Sequence, residues 1–237
     1  MALTETVADD ARVVDAVLAA HERLGALAAG LTEEAVRAPS ALPGWSRAHL
    51  FSHIEGVCRA LARQAEYALR GELVEVYDGG RPTRDAAIEA GAARGADELR
   101  EAVAGALAAA GAVWRSVGPD DWARPVRYRD GELRAALRAW WREAEIHGAD
   151  ALLGPGPDDW SRAFCDHALD FLAPRAPEGA RLVLVATDGP ERRAFGTGEP
   201  VTVRGRLTDL TAWLAGRTAP GPLDADPAPL PELGPWP

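Results

Sequence analysis

Five histidines stand in 237 residues, few enough for each to be weighed by its neighbours. Glu143 and His147 are four apart in a stretch free of Gly and Pro. At about 100° per residue a helix places them within about 40° on one face, whereas Glu145 points nearly opposite to His147. One carboxylate and one imidazole therefore converge, although an exposed i,i+4 pair on a helix surface looks the same in sequence. His49 and His53 repeat the spacing, and antiparallel bundle helices bring such faces together around a polar site. Two arrangements follow. A closed site would use both His49 and His53 and be structural. A three-donor site of His53, Glu143 and His147 would leave a coordination position open and be catalytic. Two imidazoles and a carboxylate suit zinc but are also the donor set of non-haem iron enzymes. There is no HExxH, so a zincin-type peptidase is not supported.

The remaining chemistry-bearing residues converge less. His21 has no partner identifiable by spacing, and His167, beside Cys165 and Asp166, spreads around a helix with them rather than forming a ligand face. Asp150, three after His147, is read as a solvated helix-end carboxylate rather than a residue that orients a ligand. Trp45 and Trp140 are assigned to packing. Cys58 and Cys165 lie far apart and read as buried or free thiols, not as a disulfide.

The elements that must position these residues are mostly helices. Residues 5–29 carry Val14, Val17, Leu18, Leu24 and Leu27 at 3/4 spacing, with Thr4 as an available N-cap. Ser46 caps a second helix running to about Leu69, after the Pro43-Gly44 breaker. A third helix reads from about Thr83 to Ser116 and a fourth from about Glu132 to Leu153, ended by Gly154-Pro155-Gly156-Pro157. Four such helices imply a bundle. Beyond it, residues 159–172 read as a helix, RLVLVATD and PVTVRGRL as strands, ERRAFGTG as a possible strand between them, and LTDLTAWLAGR as a closing helix. The fold class is therefore α+β: a four-helix bundle over 1–155, then a small α+β domain over 156–237. The Pro-rich tail is too rich in Pro to be regular, with Trp236 placed to pack back on the body.

Composition narrows the partners. With 36 acidic against 26 basic residues and a formal charge of −10, and no basic cluster interleaved with aromatics, a nucleic-acid partner is not expected. No apolar run approaches the ~18 residues that span a bilayer, and the acidic MALTETVADD start is unlike a signal peptide. The expectation is a cytoplasmic protein, with no motif requiring a dimer.

The stretch LPGWSRAHLFSHIEG, followed some 90 residues later by REAEIHGADALLG, resembles the paired signature of the mycothiol-dependent maleylpyruvate isomerases, within the DinB-like metal-binding superfamily. The resemblance runs over nearly the whole chain. It implies a DinB-like bundle holding one zinc on His53, Glu143 and His147, with His49 a neighbour rather than a ligand. It further implies a functional Arg at Arg217 of the closing LAGRT segment, where a cation at a helix C-terminus is the simpler alternative. Tyr77 and Arg84 occupy a region similar in relatives and either border the pocket or are surface residues.

The implied reaction is cis-to-trans isomerisation of maleylpyruvate to fumarylpyruvate, in the gentisate route, with mycothiol as thiol cofactor. A conjugated cis double bond rotates only after a nucleophile adds to it, and a thiolate adds and leaves well. Zinc coordination makes that thiolate available at neutral pH, and Arg217 would hold a substrate carboxylate or developing enolate. A mycothiol S-transferase on the same scaffold is the alternative enzyme. A non-catalytic small-ligand binding module is the alternative class.

Overall fold

The computed structural model describes residues 2–237, with side chains from residue 9 onward. The chain divides into two units, Met1–Gly154 and Pro155–Pro237.

The first unit is helical: α1 (Ala2–Ala29), α2 (Glu33–Arg37), α3 (Arg47–Leu69), α4 (Gly80–Gly91), α5 (Ala96–Ser116) and α6 (Leu133–Asp150). The four long helices form the expected bundle, α3 packing on α5 and α6, and α1 on the same two from the other side. Helix α1 starts before Thr4, so Thr4 lies within the helix and is not its N-cap. Its buried stripe is Val13, Val17, Ala20, Leu24 and Ala28, leaving the expected Val14, Leu18 and Leu27 only half-buried. Leu133, Leu137 and Trp140 of α6, Phe51, Ile54 and Leu61 of α3, and Leu99 and Trp114 of α5 are all fully buried. Each such side chain contributes about 1.5–3 kcal/mol on burial.

The single helix expected from Thr83 to Ser116 is two, with a turn at Ala92–Gly95. Local propensity favours continuing through Ala92 and Ala93, but partners distant in sequence stabilise the break. Arg37 donates to the carbonyls of Ala92 (2.6 Å), Arg94 (2.8 Å) and Ala93 (3.3 Å), closing the end of α4. Glu33 accepts from the Ala96 amide at 2.6 Å, capping α5. Arg94, in the turn, reaches Glu55 (2.8 Å) and Ser52 (3.0 Å) on α3. Gly91 lets α4 lie close, because a Cβ there would collide with the Ser52 side chain.

Ser46 caps α3 as expected, and His49 completes a capping box: the His49 amide donates to Ser46 Oγ while His49 Nδ1 accepts from the Ser46 amide at 3.2 Å. Arg47 at the start of α3 donates to the carbonyls of Ala151 (2.6 Å) and Leu152 (3.0 Å), and the Ala41 amide to that of Asp150 (2.9 Å). The first turn of α3 is thereby tied to the last turn of α6. The two segments that carry the histidines run antiparallel from that junction.

The second unit contains α7 (Arg162–Phe171), β1 (Ala180–Ala186), β2 (Arg192–Gly196), β3 (Glu199–Gly205), α8 (Leu207–Leu214) and β4 (Asp224–Asp226). Strand order is β2-β1-β3-β4, with β1 antiparallel to β2 and parallel to β3. ERRAFGTG supplies β2, an edge strand rather than a central one. The chain passes from β2 to β3 around the start of β1, which Gly198 (φ +124) permits, since a Cβ there would strike the Gly179 carbonyl. Helix α8 packs on α7, β1 and β3, and Leu182, Leu184, Val203, Phe164 and Leu210 are buried there. The tail is not wholly irregular, because β4 pairs antiparallel with β3, Asp226 opposite Thr202. Trp236 does pack back, its ring 6.0 Å from that of Phe171.

Candidate metal centre

His53 sits two turns into α3, buried to 5% exposure on the bundle side. Glu143 and His147 lie one turn apart on α6. The antiparallel junction brings them together. His53 Nε2 is 3.1 Å from Glu143 Oε2 and 3.1 Å from His147 Nε2, and His147 Nε2 is 3.2 Å from Glu143 Oε2. These three atoms make a nearly equilateral triangle. Its edge is close to the about 3.3 Å expected between donors at ~2.0–2.1 Å in a tetrahedral zinc shell. Among the described residues this is the one group of three or more His, Cys, Asp or Glu arranged to hold a metal ion. The donor types and their spacing fit a divalent cation.

The electrostatics hold Glu143 ionised and His53 neutral, the forms that coordinate, while His147 keeps its proton. Burial works to raise the Glu143 pKa, but hydrogen bonds from His147 and His53 outweigh it and hold the carboxylate far below its usual range. His53 is lowered, chiefly by burial, which keeps its imidazole neutral. His147 behaves oppositely. Burial pulls its pKa down, yet Asp150 and Glu143 overcome that and raise it to about 9. A cation at Nε2 would displace that proton.

Asp150 is the residue that spacing misplaced. It is 1% exposed, not solvated, and its Oδ2 accepts from His147 Nδ1 at 2.9 Å. That bond sets the tautomer, turning Nε2 toward the triangle. The i,i+3 spacing was the available signal, but spacing does not reveal burial.

His49 stays outside the triangle, engaged in the α3 cap and 3.5 Å from Glu89. Trp45 packs as expected, and it does so on the site: its ring stacks on His49 (6.3 Å, 22°) and meets His53 edge-on (5.6 Å, 63°). Glu145 points away as helical geometry required, accepting from Arg23 (2.5 Å) and Trp141 (3.2 Å). Arg84 borders the site, with Nη2 3.1 Å from His53 Nδ1, and the Tyr77 hydroxyl bonds to the same guanidinium. His21 accepts from Trp140 Nε1 at 2.6 Å, a partner on α6 that spacing along the chain does not reveal.

In the second unit, Arg217 Nη1 donates to the Ala215 carbonyl at 2.8 Å and its guanidinium lies 5.8 Å over the Trp236 ring. Both cysteines are free and buried. Burial pushes Cys58 up to about 12 and Cys165 up to about 11.

A four-helix bundle with a two-histidine, one-carboxylate cluster, followed by a small mixed-sheet unit, defines a helical-bundle protein with a candidate metal site and a second, α+β unit. Residues 17–152 match the family model described as the mycothiol maleylpyruvate isomerase N-terminal domain, and residues 159–234 match the MDMPI C-terminal domain. The chain belongs to the mycothiol maleylpyruvate isomerase family. Its fold is similar to a crystal structure of the mycothiol-dependent maleylpyruvate isomerase, at TM-score 0.84 and 23% identity over 96% of this chain and 97% of that one. A histidine-to-alanine mutant of that isomerase matches at TM-score 0.84 and 22% identity, with the same coverage. No curated protein matches the chain.

Proposed function

We propose that this chain is a mycothiol-dependent maleylpyruvate isomerase with one zinc ion on His53, Glu143 and His147. The observation that carries the reading is the donor triangle of 3.1–3.2 Å edges in a chain whose two halves both match the isomerase family. A cation held by these three residues would supply the positive charge that lowers a thiol's pKa, and mycothiol would supply a sulfur whose addition turns the cis double bond into a single bond that can rotate before the sulfur leaves and the trans double bond forms.

The chain's own residues fit this division of labour. Glu143, held ionised, has no proton to lose on coordination. Asp150 fixes the ring of His147, and Trp45 shields His53 from water on one side. Cys58 and Cys165, with raised pKa values, stay protonated at neutral pH, so the nucleophilic sulfur comes from outside the chain. Zinc is favoured over iron because isomerisation exchanges no electrons and needs no redox-active metal. Arg217 is assigned to a substrate anion on the strength of the family match across 159–234. Two unpaired cysteines suit a reducing cytoplasm, where low-molecular-weight thiols persist, and no helix among the described residues is long and apolar enough to cross a membrane. The protein is taken to act as a monomer.

The test is turnover of maleylpyruvate by zinc-loaded protein with and without mycothiol. Fumarylpyruvate formed only with the thiol supports the assignment. Conjugation of a generic electrophile without isomerisation assigns an S-transferase instead, and neither activity, with metal absent from purified protein, points to a binding module.

A further inference from the structure

The two histidine ligands differ at the nitrogen facing away from the triangle. His147 Nδ1 meets a carboxylate, Asp150, at 2.9 Å. His53 Nδ1 meets a guanidinium, Arg84 Nη2, at 3.1 Å. An arginine offers only donors, so His53 Nδ1 must accept in this contact. A neutral imidazole that gives its Nε2 lone pair to a metal carries its proton on Nδ1 and can only donate there. The Arg84 contact and coordination through His53 Nε2 therefore exclude one another.

Arg84 has defined neighbours. Its Nη1 donates to Asp85 at 2.7 Å and the Tyr77 hydroxyl accepts from it, with its side chain 25% exposed. Once His53 Nδ1 becomes a donor, Nη2 has lost its acceptor while Asp85 and Tyr77 still hold the guanidinium at the edge of the site. A carboxylate satisfies such a group with charge-assisted, two-pronged hydrogen bonds.

Resting on the metal assignment above, we infer that Arg84 is a carboxylate-binding residue at the edge of this site, released from His53 when the metal binds, so that metal and carboxylate bind cooperatively. Cooperativity is reciprocal: a carboxylate on Arg84 tightens the metal by the factor by which the metal tightens the carboxylate.

The test titrates zinc against a chromogenic chelator in wild type and Arg84→Met, with and without maleate as the dicarboxylate probe. Arg84→Met should bind zinc about tenfold more tightly, within the range that partners of metal ligands exert. Maleate should tighten zinc several-fold in wild type and leave the variant unchanged. Equal or weaker zinc binding in Arg84→Met, or a maleate effect that persists there, overturns the inference. If wild type itself binds no zinc, the metal assignment fails instead. Side-chain NMR of wild type keeps the test independent of the variant's folding. The Arg84 Nη protons should shift and exchange faster on adding zinc, and slow again with maleate. Signals indifferent to zinc also overturn it.

Discussion

Asp150 Oδ2 lies 2.9 Å from His147 Nδ1 at the last turn of α6, nearly sealed from solvent. The carboxylate both raises the imidazole's proton affinity and fixes which nitrogen faces Glu143 and His53. Asp150→Asn should therefore weaken zinc binding by about ten- to a hundredfold. The helical circular dichroism should be unchanged, and a chelator competition reads the affinity. Wild-type affinity in Asp150→Asn would show that the bond is not what orients the ring.

His53→Ala removes one corner of the triangle and the α3 half of the site. Two donors on one helix hold a divalent ion poorly, so metal content after dialysis should fall well below one per chain. Thiol-dependent turnover should disappear with it. The bundle should survive, because losing this ring costs about 1–3 kcal/mol of stability and the apolar stripe of α3 is untouched. Activity retained at full metal content would refute the ligand assignment.

The sequence carried the site's donors further than its surroundings. Helical periodicity alone chose Glu143 over Glu145, and the structure turns Glu145 toward Arg23 and Trp141. Spacing left His49 and His53 open, and the family resemblance selected His53. The geometry gives a reason, since His49 Nδ1 is engaged by the α3 cap. What stayed hidden depended on contacts between distant segments. Asp150 looked like a helix-end carboxylate until the α3–α6 junction enclosed it. The break between α4 and α5 arises from Arg37 and Glu33, more than fifty residues upstream. Strand β4 arises in a Pro-rich tail because β3 offers an open edge.

His21 is a second buried histidine, outside the His53–Glu143–His147 triangle. Burial, then the nearby Arg115, lower its pKa to about 4, while a hydrogen bond to the Leu107 backbone opposes them. Folding thus favours the neutral ring, which accepts from Trp140 Nε1. Because the folded pKa is below the unfolded 6.5, stability from this group is complete above about pH 6.5 and declines as pH falls toward 4. The loss is at most about 3 kcal/mol, since each tenfold change in proton affinity is worth ~1.4 kcal/mol. His21→Gln keeps an acceptor for Trp140 without titrating. Urea unfolding from pH 7.5 to 4 should show a shallower fall in the variant, and identical slopes in the two proteins would contradict this account.

Cys58 and Cys165 should be chemically quiet in the folded protein. Burial raises both pKa values, and Cys58 Sγ is 3.6 Å from the Ala106 carbonyl. Iodoacetamide at pH 7.5 should label neither until the chain is unfolded, as read by intact mass. Cys58→Ala with Cys165→Ala should keep mycothiol-dependent turnover within a few-fold of wild type. A much larger loss, with the fold intact, would place a chain thiol in the reaction.

Arg37 offers a test of what breaks the long Ala-rich helix. Its guanidinium closes three carbonyls between Ala92 and Arg94, work that no local side chain takes over. Hydrogen bonds from a charged donor contribute about 1.5–3 kcal/mol each when shielded. This side chain is 48% exposed, and solvent screening reduces the expected total to about 1–2 kcal/mol for Arg37→Ala. The effect should be local before it is global. Hydrogen exchange should quicken first in residues 91–96 and then in α4, which carries Arg84 to the edge of the metal site. Arg37→Ala should therefore diminish maleate's effect on zinc binding while leaving zinc affinity itself unchanged or tighter. Equal loss of both would mean that the whole bundle, rather than the α4 turn, depends on Arg37.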